Sequence, residues 1–279
     1  FSAAENQTSI GTVTATDADG DTVSYSISGN DAASMSVNSS SGVLAFNSAP
    51  DYETKSSYAA TVTASDGTNS ATQDITVNVT NINDNSPSIT SSATFSAAEN
   101  QISIGTVTAT DTDGDTVSYS LSGTDASSMS INASSGVLAF NSAPDYETKS
   151  TYSATVTASD GANSTTQNIT VNVTNLNDNS PSITSGASFS ATENQTSIGT
   201  VTASDADGDT VSYSLSGTDA SSMSINSSSG AITFSSAPDY ETKSSYSATV
   251  TASDGTNSST QDITVSVINV NEYTPSITS

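Results

Sequence analysis

Residues 74–85 read DITVNVTNINDN, an alternating apolar and polar run that continues directly into a stretch of asparagine and aspartate. Ile75, Val77 and Val79 fall on one face of an extended chain, because successive side chains of a strand point to opposite sides. The polar stretch that follows carries more side-chain oxygen atoms than a turn requires. The sequence therefore predicts a half-buried strand that ends in a group of oxygen-bearing side chains.

This stretch belongs to a repeat of 94 residues that fills the chain. The segment SAAENQ at Ser2 returns, with few changes, at Ser96 and Ser190. Repetition at a fixed period predicts one structural unit that occurs several times. We interpret the sequence as part of a longer array, divided into an N-terminally truncated first repeat (1–85), a second repeat (86–179), a third repeat (180–273) and the start of the next linker or repeat (274–279).

Period-two alternation extends through most of each repeat. In the first repeat it predicts short strands at 10–16, 22–28, 35–38, 43–46, 58–65 and 74–80, separated by segments rich in Asp, Gly, Ser and Asn. About seven short strands in a repeat of this length are typical of a two-sheet sandwich. We expect an all-β fold of three tandem seven-stranded Greek-key β-sandwich domains, Ig-like in class, in a linear rod.

The composition excludes several classes of function. The chain has 29 acidic residues against 3 basic ones, with a formal net charge of -26. A nucleic-acid partner is excluded because phosphate binding needs Lys and Arg. No apolar run approaches the roughly 20 residues that span a bilayer, so no membrane insertion is expected. The absence of Cys and His removes thiolate and imidazole metal sites and the usual general base, and we predict that the chain is not an enzyme.

Five acidic motifs occur in a fixed order: ENQ, DADGD, DYETKSSY, TASDG and NINDNSP. In this order and at these spacings they resemble the cadherin repeat, and the resemblance covers the whole chain three times. It implies calcium sites that are completed by the lower end of one repeat, the linker and the upper end of the next repeat. Calcium prefers carboxylate, amide and backbone carbonyl oxygens, which these motifs supply.

The resemblance implies one set of ligands for each internal junction. The first set is Glu5, Asp51, Glu53, Asn81, Asn83, Asp84, the carbonyls of Ile82 and Asn85, Asp111, Asp113 and Asp160. The second set is Glu99, Asp145, Glu147, Asn175, Asn177, Asp178, the carbonyls of Leu176 and Asn179, Asp205, Asp207 and Asp254. Asn81 and Asn175 stand where the family usually has Asp, so each set lacks one charge and we expect two to three Ca²⁺ per junction. Asp115 is either a further ligand or a turn residue.

Two classes of function follow from these motifs. The resemblance favours a calcium-stiffened extender or adhesion segment of a long extracellular cell-surface protein, and the lack of Cys and scarcity of Lys favour a bacterial-type adhesin. The alternative is a calcium-dependent carbohydrate-binding module, although the Tyr residues recur at positions predicted to face inward. The expected partners are neighbouring repeats of the same polypeptide, together with cell-surface glycans or the surface proteins of another cell.

Overall fold

The computed structural model describes residues 1–276, and their regular structure is almost entirely β-strand. The first repeat contains seven strands: β1 Ser2–Ala4, β2 Ser9–Thr12, β3 Ser24–Ser28, β4 Met35–Val37, β5 Val43–Phe46, β6 Ser57–Ser65 and β7 Ser70–Thr80. A three-residue 3-10 helix, Ala32–Ser34, precedes β4. In the described part of the chain no helix is long and apolar enough to cross a membrane.

The same strands recur in the later repeats, together with short strands that follow each linker. The next strands are β8 Ser88–Ile89, β9 Thr94–Ala98, β10 Ser103–Thr106, β11 Ala109–Thr110, β12 Ser118–Ser122, β13 Met129–Ile131, β14 Val137–Phe140, β15 Thr151–Ser159 and β16 Ser164–Thr174. The last are β17 Ser182–Ile183, β18 Ser188–Thr192, β19 Ser197–Thr200, β20 Ala203–Ser204, β21 Ser212–Ser216, β22 Met223–Ile225, β23 Ala231–Phe234, β24 Ser245–Ser253 and β25 Ser258–Ile268. Further 3-10 helices lie at Ala126–Ser128 and Ala220–Ser222.

The chain divides into two compact units, and each is described by itself. The first unit comprises Phe1–Phe95, Ser103–Ser142 and Tyr152–Val171. The second comprises Ser96–Ile102, Ala143–Thr151 and residues 172–276. The first unit therefore holds every residue of the first predicted ligand set, and the second unit holds every residue of the second set.

Two sheets pack face to face in the first repeat. One has the strand order β1-β7-β6-β3 and the other has the order β2-β5-β4. Strand β1 runs parallel to β7, whereas β6 and β7 form a long antiparallel pair. The third repeat has the same arrangement, with β18-β25-β24-β21 in one sheet and β19-β23-β22 in the other. The predicted seven-stranded sandwich is confirmed.

Small apolar side chains fill the space between the sheets. In the first repeat Leu44 and Val77 are fully buried, and Val62 and Met35 are each 2% exposed. The ring of Phe46 packs edge-on against Tyr58, with centroids 4.9 Å apart. The alternating residues Ile75, Val77 and Val79 all belong to this core, as the period-two pattern predicts.

The predicted strand at 10–16 is wrong at its C-terminal end, because β2 ends at Thr12. The register of β2 against β5 shifts between Ser9 and Gly11, so the ladder is already irregular there. The chain then turns towards Gly42, whose carbonyl accepts from the Val13 N–H at 2.9 Å. Gly42 has φ +67°, and a Cβ built on it would lie 2.1 Å from the Val13 carbonyl oxygen. Only glycine fits this position without strain.

The lysines form a local arrangement away from the linkers. The Lys55 ammonium binds the carboxylate of Asp31 and lies 4.7 Å from the centroid of the Tyr58 ring. The Asp31 carboxylate also accepts from the Ala59 N–H at 2.8 Å. The hydrogen bond from Lys55, followed by that from Ala59, holds the pKa of Asp31 below its ordinary value. Lys243 repeats this arrangement with Asp219 and Tyr246.

Candidate metal centre

Glu5 connects three segments of the first unit. It follows β1 directly and is only 1% exposed. One carboxylate oxygen accepts from the Tyr52 N–H at 2.8 Å, and the other accepts from the Ile82 N–H at 2.6 Å. Hydrogen bonds to both oxygens satisfy a carboxylate that would otherwise be costly to bury. Glu5 thereby joins the Asp-x-Glu turn to the start of the linker.

The Asp-x-Glu turn brings two further carboxylates to the same place. Asp51 accepts from the Thr54 hydroxyl at 2.7 Å, and this bond is the largest cause that lowers the pKa of Asp51. One carboxylate oxygen from each of Glu5, Asp51 and Glu53 lies within 4.8 Å of the others. Loss of solvation raises the pKa of Glu53, and the charges of Glu5 and Asp113 add to this.

Asp113, from the second repeat, is bound to the linker. One of its carboxylate oxygens accepts from the N–H groups of Asp84 at 3.0 Å and Asn85 at 2.8 Å. The other accepts from the Asn85 side-chain amide at 2.7 Å. Burial opposes ionisation of Asp113, but the hydrogen bonds from Asn85 and Asp84 outweigh it and lower the pKa of Asp113. Oxygens of Glu53, Asp84 and Asp113 lie within 4.8 Å of one another.

Asp111 and Asp160 each present one unbonded oxygen. The Oδ1 atom of Asp111 accepts from the Asp113 N–H at 3.0 Å, and the Oδ1 atom of Asp160 accepts from the Asn163 N–H at 2.6 Å. The Oδ2 atoms of both residues, and the Oε1 atom of Glu53, are enclosed without a hydrogen-bond partner. Enclosed carboxylate oxygens without a donor are unfavourable in a folded protein. A cation would satisfy them, so this set of ligands fits Ca²⁺.

Asp115 is both a turn residue and a possible ligand. Its N–H donates to the Asp111 carboxylate at 3.2 Å, as a turn residue would. A carboxylate oxygen of Asp115 also lies within 4.8 Å of those of Asp111 and Asp113. The structure therefore supports both alternatives that the sequence leaves open.

The linker asparagines lie at the site and engage their side chains in hydrogen bonds. The Asn81 amide donates to the carbonyl oxygen of Asp113 at 2.8 Å. The Asn83 side-chain oxygen accepts from the Asn163 amide at 2.8 Å, and the Asn163 amide lies 3.3 Å from the Asn85 carbonyl oxygen. The role of Asn81, Asn83, Asn85 and the Ile82 carbonyl as metal ligands stays a prediction.

The second unit contains the same arrangement. The Leu176 N–H donates to Glu99 at 2.6 Å, and the N–H groups of Asp178 and Asn179 donate to Asp207 at 3.0 and 2.8 Å. Oxygens of Glu99, Glu147 and Asp178 lie within 4.8 Å of one another, and the Oδ2 atoms of Asp205 and Asp254 are enclosed without a partner. The remaining predicted residues of this set occupy equivalent positions: Asp145 accepts from Thr148, Asn175 donates to the Asp207 carbonyl, and Asn177 accepts from Asn257.

Two asparagines at the site, Asn6 and Asn163, are absent from the predicted ligand sets. Asn6 has φ +61°, in the left-handed region that Asn tolerates, and its amide donates to the Asp84 carboxylate. Asn163 binds the linker as described above. Both could have been found from their positions, since Asn6 follows the repeated Glu and Asn163 lies three residues after Asp160, where an Asx turn directs it back.

The third repeat ends in a related cluster. Oxygens of Glu193, Glu241 and Glu272 lie within 4.8 Å of one another. Asn194 donates to Glu272 at 2.5 Å, as Asn6 donates to Asp84. The charge of Asp239, followed by that of Glu272, raises the pKa of Tyr273.

The comparisons with known proteins agree with this geometry. The family model described as "Cadherin domain" matches residues 1–80, 93–174 and 187–271. The chain belongs to the cadherin family. Human Protocadherin Fat 4 is 33% identical over 228 residues, which are 74% of this chain and 5% of that protein. The cadherin chain therefore spans about one twentieth of that relative's length.

Solved structures show the same cadherin architecture. Mouse Cadherin-23 EC22-24 has a TM-score of 0.76 and 26% identity, with 96% of this chain and 95% of that chain covered. The Protocadherin gammaB7 EC3-6 cis-dimer structure has a TM-score of 0.74 and 28% identity, with 90% of this chain and 67% of that chain covered. The predictions of a cadherin-like tandem repeat, a β-sandwich fold, a cell-adhesion module and an extracellular, cell-surface location are confirmed. The repeat boundaries at 85, 179 and 273 stay a prediction.

Proposed function

We propose that this cadherin chain is a calcium-rigidified extender or adhesion segment of a long secreted cell-surface protein. One observation carries the proposal: acidic side chains from two repeats and a linker converge, and several of their enclosed oxygens lack hydrogen-bond donors. Cadherin domains generally bind Ca²⁺ at their inter-domain linkers, which agrees with this set of ligands. When bound, Ca²⁺ would neutralise the mutual repulsion of the carboxylates and bind the linker to both repeats.

The proposed ligands of the first junction come from the first repeat, the linker and the second repeat. Glu5, Asp51 and Glu53 would hold ions from the first repeat, Asp84 from the linker, and Asp111, Asp113 and Asp160 from the second repeat, which gives seven carboxylates. Seven negative charges offset up to three divalent cations, and we propose two to three Ca²⁺ per junction. Fixing residues 81–85 in this way would convert a flexible connection into a rigid one and produce an extended rod.

We infer the kind of partner from the relatives. Protocadherin gammaB7 EC3-6 forms a cis-dimer, and we infer that this chain contacts neighbouring repeats and other surface proteins through protein surfaces. In the first repeat Tyr25, Tyr52 and Tyr58 pack against the core and offer no exposed aromatic platform, which counts against the carbohydrate-binding alternative. The kind of organism that makes this chain is also a proposal. The lack of Cys and scarcity of Lys favour a bacterial-type adhesin, whereas Protocadherin Fat 4 and Cadherin-23 are animal proteins.

Thermal unfolding and small-angle scattering test the proposal. A ligand that binds only the folded state at a hundredfold excess over Kd stabilises it by about 2.7 kcal/mol. Extracellular calcium modules bind in the range of about 0.1 to 1 mM, so several millimolar calcium should raise the melting temperature measured in chelator. The maximum dimension should also grow and its distribution should narrow.

Two matched variants show whether the calcium response depends on the proposed ligands of the first junction. We expect Asp84→Asn to weaken the calcium response of the first junction, because it removes a proposed ligand charge. Asp74→Asn removes the same charge from the exposed face of β7 and should leave the response unchanged. A melting temperature and a scattering profile that are identical in chelator and in calcium would contradict the proposed function.

A further inference from the structure

One asparagine of each repeat has a backbone conformation that the chain otherwise gives to glycine. Asn6, Asn100 and Asn194 have φ of 61°, 60° and 61°, and within residues 1–276 they are the only residues other than glycine with positive φ. Asn tolerates this left-handed region better than most residues, but glycine adopts it at lower cost. The backbone alone therefore does not explain why asparagine stands at these positions.

In the second unit, hydrogen bonds to the neighbouring segments fix the backbone of Asn100. Its N–H donates to the Pro144 carbonyl at 3.0 Å, and the Glu99 N–H donates to the Thr174 carbonyl at 3.2 Å. Pro144 directly precedes Asp145, where the Asp-x-Glu turn begins, and Thr174 is the last residue of β16. The turn at Asn100 is thus held between the end of β16 and the Asp-x-Glu turn.

Two consecutive side chains at this turn contact the same linker. Consecutive side chains of a strand point to opposite faces, whereas Glu99 and Asn100 both reach the linker. A carboxylate oxygen of Glu99 accepts from the Leu176 N–H at 2.6 Å, and the Asn100 amide donates to the Asp178 carboxylate. Glu99 therefore holds the linker backbone, and Asn100 holds a linker side chain two residues further on.

The Asp178 carboxylate accepts from an amide on each of its oxygens. The Oδ2 atom accepts from the Asn100 side chain, and the Oδ1 atom accepts from the Asn179 side chain at 2.9 Å. Asp178 is exposed, and an exposed side chain keeps its rotamer freedom unless neighbouring groups restrain it. Asn179 belongs to the linker itself, whereas Asn100 belongs to the third segment of the site, the turn after β9. The bond from Asn100 therefore fixes the Asp178 carboxylate relative to the repeat.

This bond keeps Asp178 beside other proposed ligands of the second junction. Carboxylate oxygens of Glu99, Glu147 and Asp178 lie within 4.8 Å of one another. A carboxylate oxygen has two lone pairs, so an oxygen that accepts from an amide can still bind a cation. The Asn100 amide carries no charge and does not replace an ion. It holds a ligand in place.

The first and third repeats contain the same bond. In the first unit, the Asn6 N–H donates to the Pro50 carbonyl at 3.0 Å, and the Asn6 amide donates to the Asp84 carboxylate. In the third repeat the Asn194 amide donates to Glu272 at 2.5 Å. Glu272 has one methylene more than Asp84, and the asparagine still reaches its carboxylate. The contact therefore follows the linker acid and not one particular side-chain length.

We propose that Asn100 at the second junction, and Asn6 at the first, are positioning residues of the calcium centre. Each amide holds the carboxylate of a linker aspartate, Asp178 or Asp84, at the place where it binds an ion, and this role rests on the proposed function. The amide nitrogen faces the carboxylate, so the asparagines act through the aspartates. Pre-organisation of a ligand lowers the entropy cost of binding.

Glycine separates the amide from the backbone conformation. Asn100→Gly keeps the left-handed turn, because glycine adopts positive φ freely, and it removes the amide. Hydrogen exchange across a calcium titration reports the second junction at residues 175–179 and the first junction at residues 81–85. The calcium midpoint at residues 175–179 should rise about three- to tenfold, because a hydrogen bond to a charged group is lost. The midpoint at residues 81–85 should not change.

The same substitution in the first repeat is the matched control. Asn6→Gly should raise the midpoint at residues 81–85 and leave that at residues 175–179 unchanged. The melting temperature of both variants in chelator, compared with that of the unaltered chain, shows that the repeats fold. A single variant that shifts both midpoints would overturn the positioning role, because the bond is local to one junction.

Aspartate tests the donor itself. Asn100→Asp has nearly the same shape and tolerates positive φ, but it places a second carboxylate beside that of Asp178. In chelator, residues 175–179 of this variant should exchange faster than in the unaltered chain. Unchanged exchange would mean that only the backbone of the turn matters, and would overturn the positioning role.

A double variant tests whether Asn100 acts through Asp178. Asp178→Ala removes the acceptor, so Asn100→Gly in that background should not shift the calcium midpoint at residues 175–179 any further. An additional shift as large as that of Asn100→Gly alone would show that the asparagine acts on the site by another route. The positioning role would then be wrong.

The outcomes distinguish the two proposals. If calcium protects both linkers of the unaltered chain but neither glycine variant shifts its own midpoint, the positioning role is wrong and the proposed function stands. If calcium changes the exchange of neither linker, the proposed function is wrong, and the positioning role is wrong as well.

Discussion

Replacement of Asn163 by alanine tests how the linker is positioned. The Asn163 amide lies on the turn that follows Asp160 and contacts three linker oxygens. These are the Asn83 side-chain oxygen at 2.8 Å and the carbonyl oxygens of Asn83 and Asn85 at 3.4 and 3.3 Å. Asn163 carries no charge and is not a proposed ligand. Asn163→Ala should therefore loosen residues 81–85 without removing any carboxylate.

The expected cost of Asn163→Ala follows from these distances. Only the 2.8 Å contact lies within the usual range for a hydrogen bond, and the longer two add little. A hydrogen bond of this type contributes about 1 kcal/mol net, and a part-buried acceptor left unpaired raises the cost to roughly 1–2 kcal/mol. Because 1.4 kcal/mol corresponds to a factor of ten, the calcium affinity of the first junction should fall about tenfold if ions require the ordered linker.

Calorimetric calcium titration and hydrogen exchange measure the two consequences. Backbone amides of residues 81–85 should exchange faster in Asn163→Ala, whereas those of residues 175–179 should be unchanged. The matched control is Asn69→Ala, since the Asn69 amide contacts the Asp66 carboxylate at 3.4 Å and no linker within the described residues. Unchanged calcium affinity at the first junction in Asn163→Ala, or an equal loss in Asn69→Ala, would refute the reasoning.

Three further predictions concern charge and backbone. Glu53→Gln should raise the melting temperature in chelator, because desolvation and like charges disfavour the ionised carboxyl. In calcium the same substitution should lower the melting temperature. A change of the same sign in both buffers would contradict the assignment of Glu53 as a calcium ligand. Gly42→Ala should cost roughly 2–4 kcal/mol in denaturant unfolding, because φ is +67° and the new Cβ would meet a carbonyl at 2.1 Å. Gly67→Ala, with φ +94° but open space, should cost less. The lowered pKa of Asp31 means that its bond to Lys55 stabilises the fold above about pH 4 and is lost as pH falls through the folded pKa. Asp31→Asn should therefore flatten the fall in melting temperature between pH 5 and 3, and an unchanged slope would show that the bond contributes nothing.

Local sequence pattern predicts the long strands well and the short ones poorly. The alternation at 58–65 and 74–80 corresponds to β6 and the end of β7, because one face of each strand is buried in the core. Strand β1 is only three residues long and exists through its parallel pairing with β7, about 75 residues later. No local pattern encodes such a pairing. The end of β2 was missed for a related reason, since it depends on the approach of Gly42.

In the candidate site, the sequence predicts the carboxylates but not how the asparagine side chains are oriented. Carboxylate positions follow from residue type and spacing, since the acid is the feature that the motif requires. The asparagines differ, because an amide presents either an oxygen or a nitrogen and only the surrounding partners determine which. Asn85 supplies its nitrogen to Asp113, and Asn163 supplies its nitrogen to Asn83. Such connections join residues that are about 30 to 80 positions apart, and the sequence alone does not indicate them.

The parallel pairing of the first and last strands of a repeat has a consequence for synthesis of the chain. Strand β1 remains without its partner until β7 has been made, and the segment SAAEN of the second repeat, at 96–100, follows soon after β7. That segment is identical to residues 2–6 of the first repeat, so the edge of β7 meets two equally suitable partners on one nascent polypeptide. Neighbouring repeats of such similarity are prone to exchange strands during folding. Prompt folding of each repeat as it is made would favour the partner that was made first, and slow refolding of the whole chain from denaturant should therefore yield more strand-exchanged species than synthesis does.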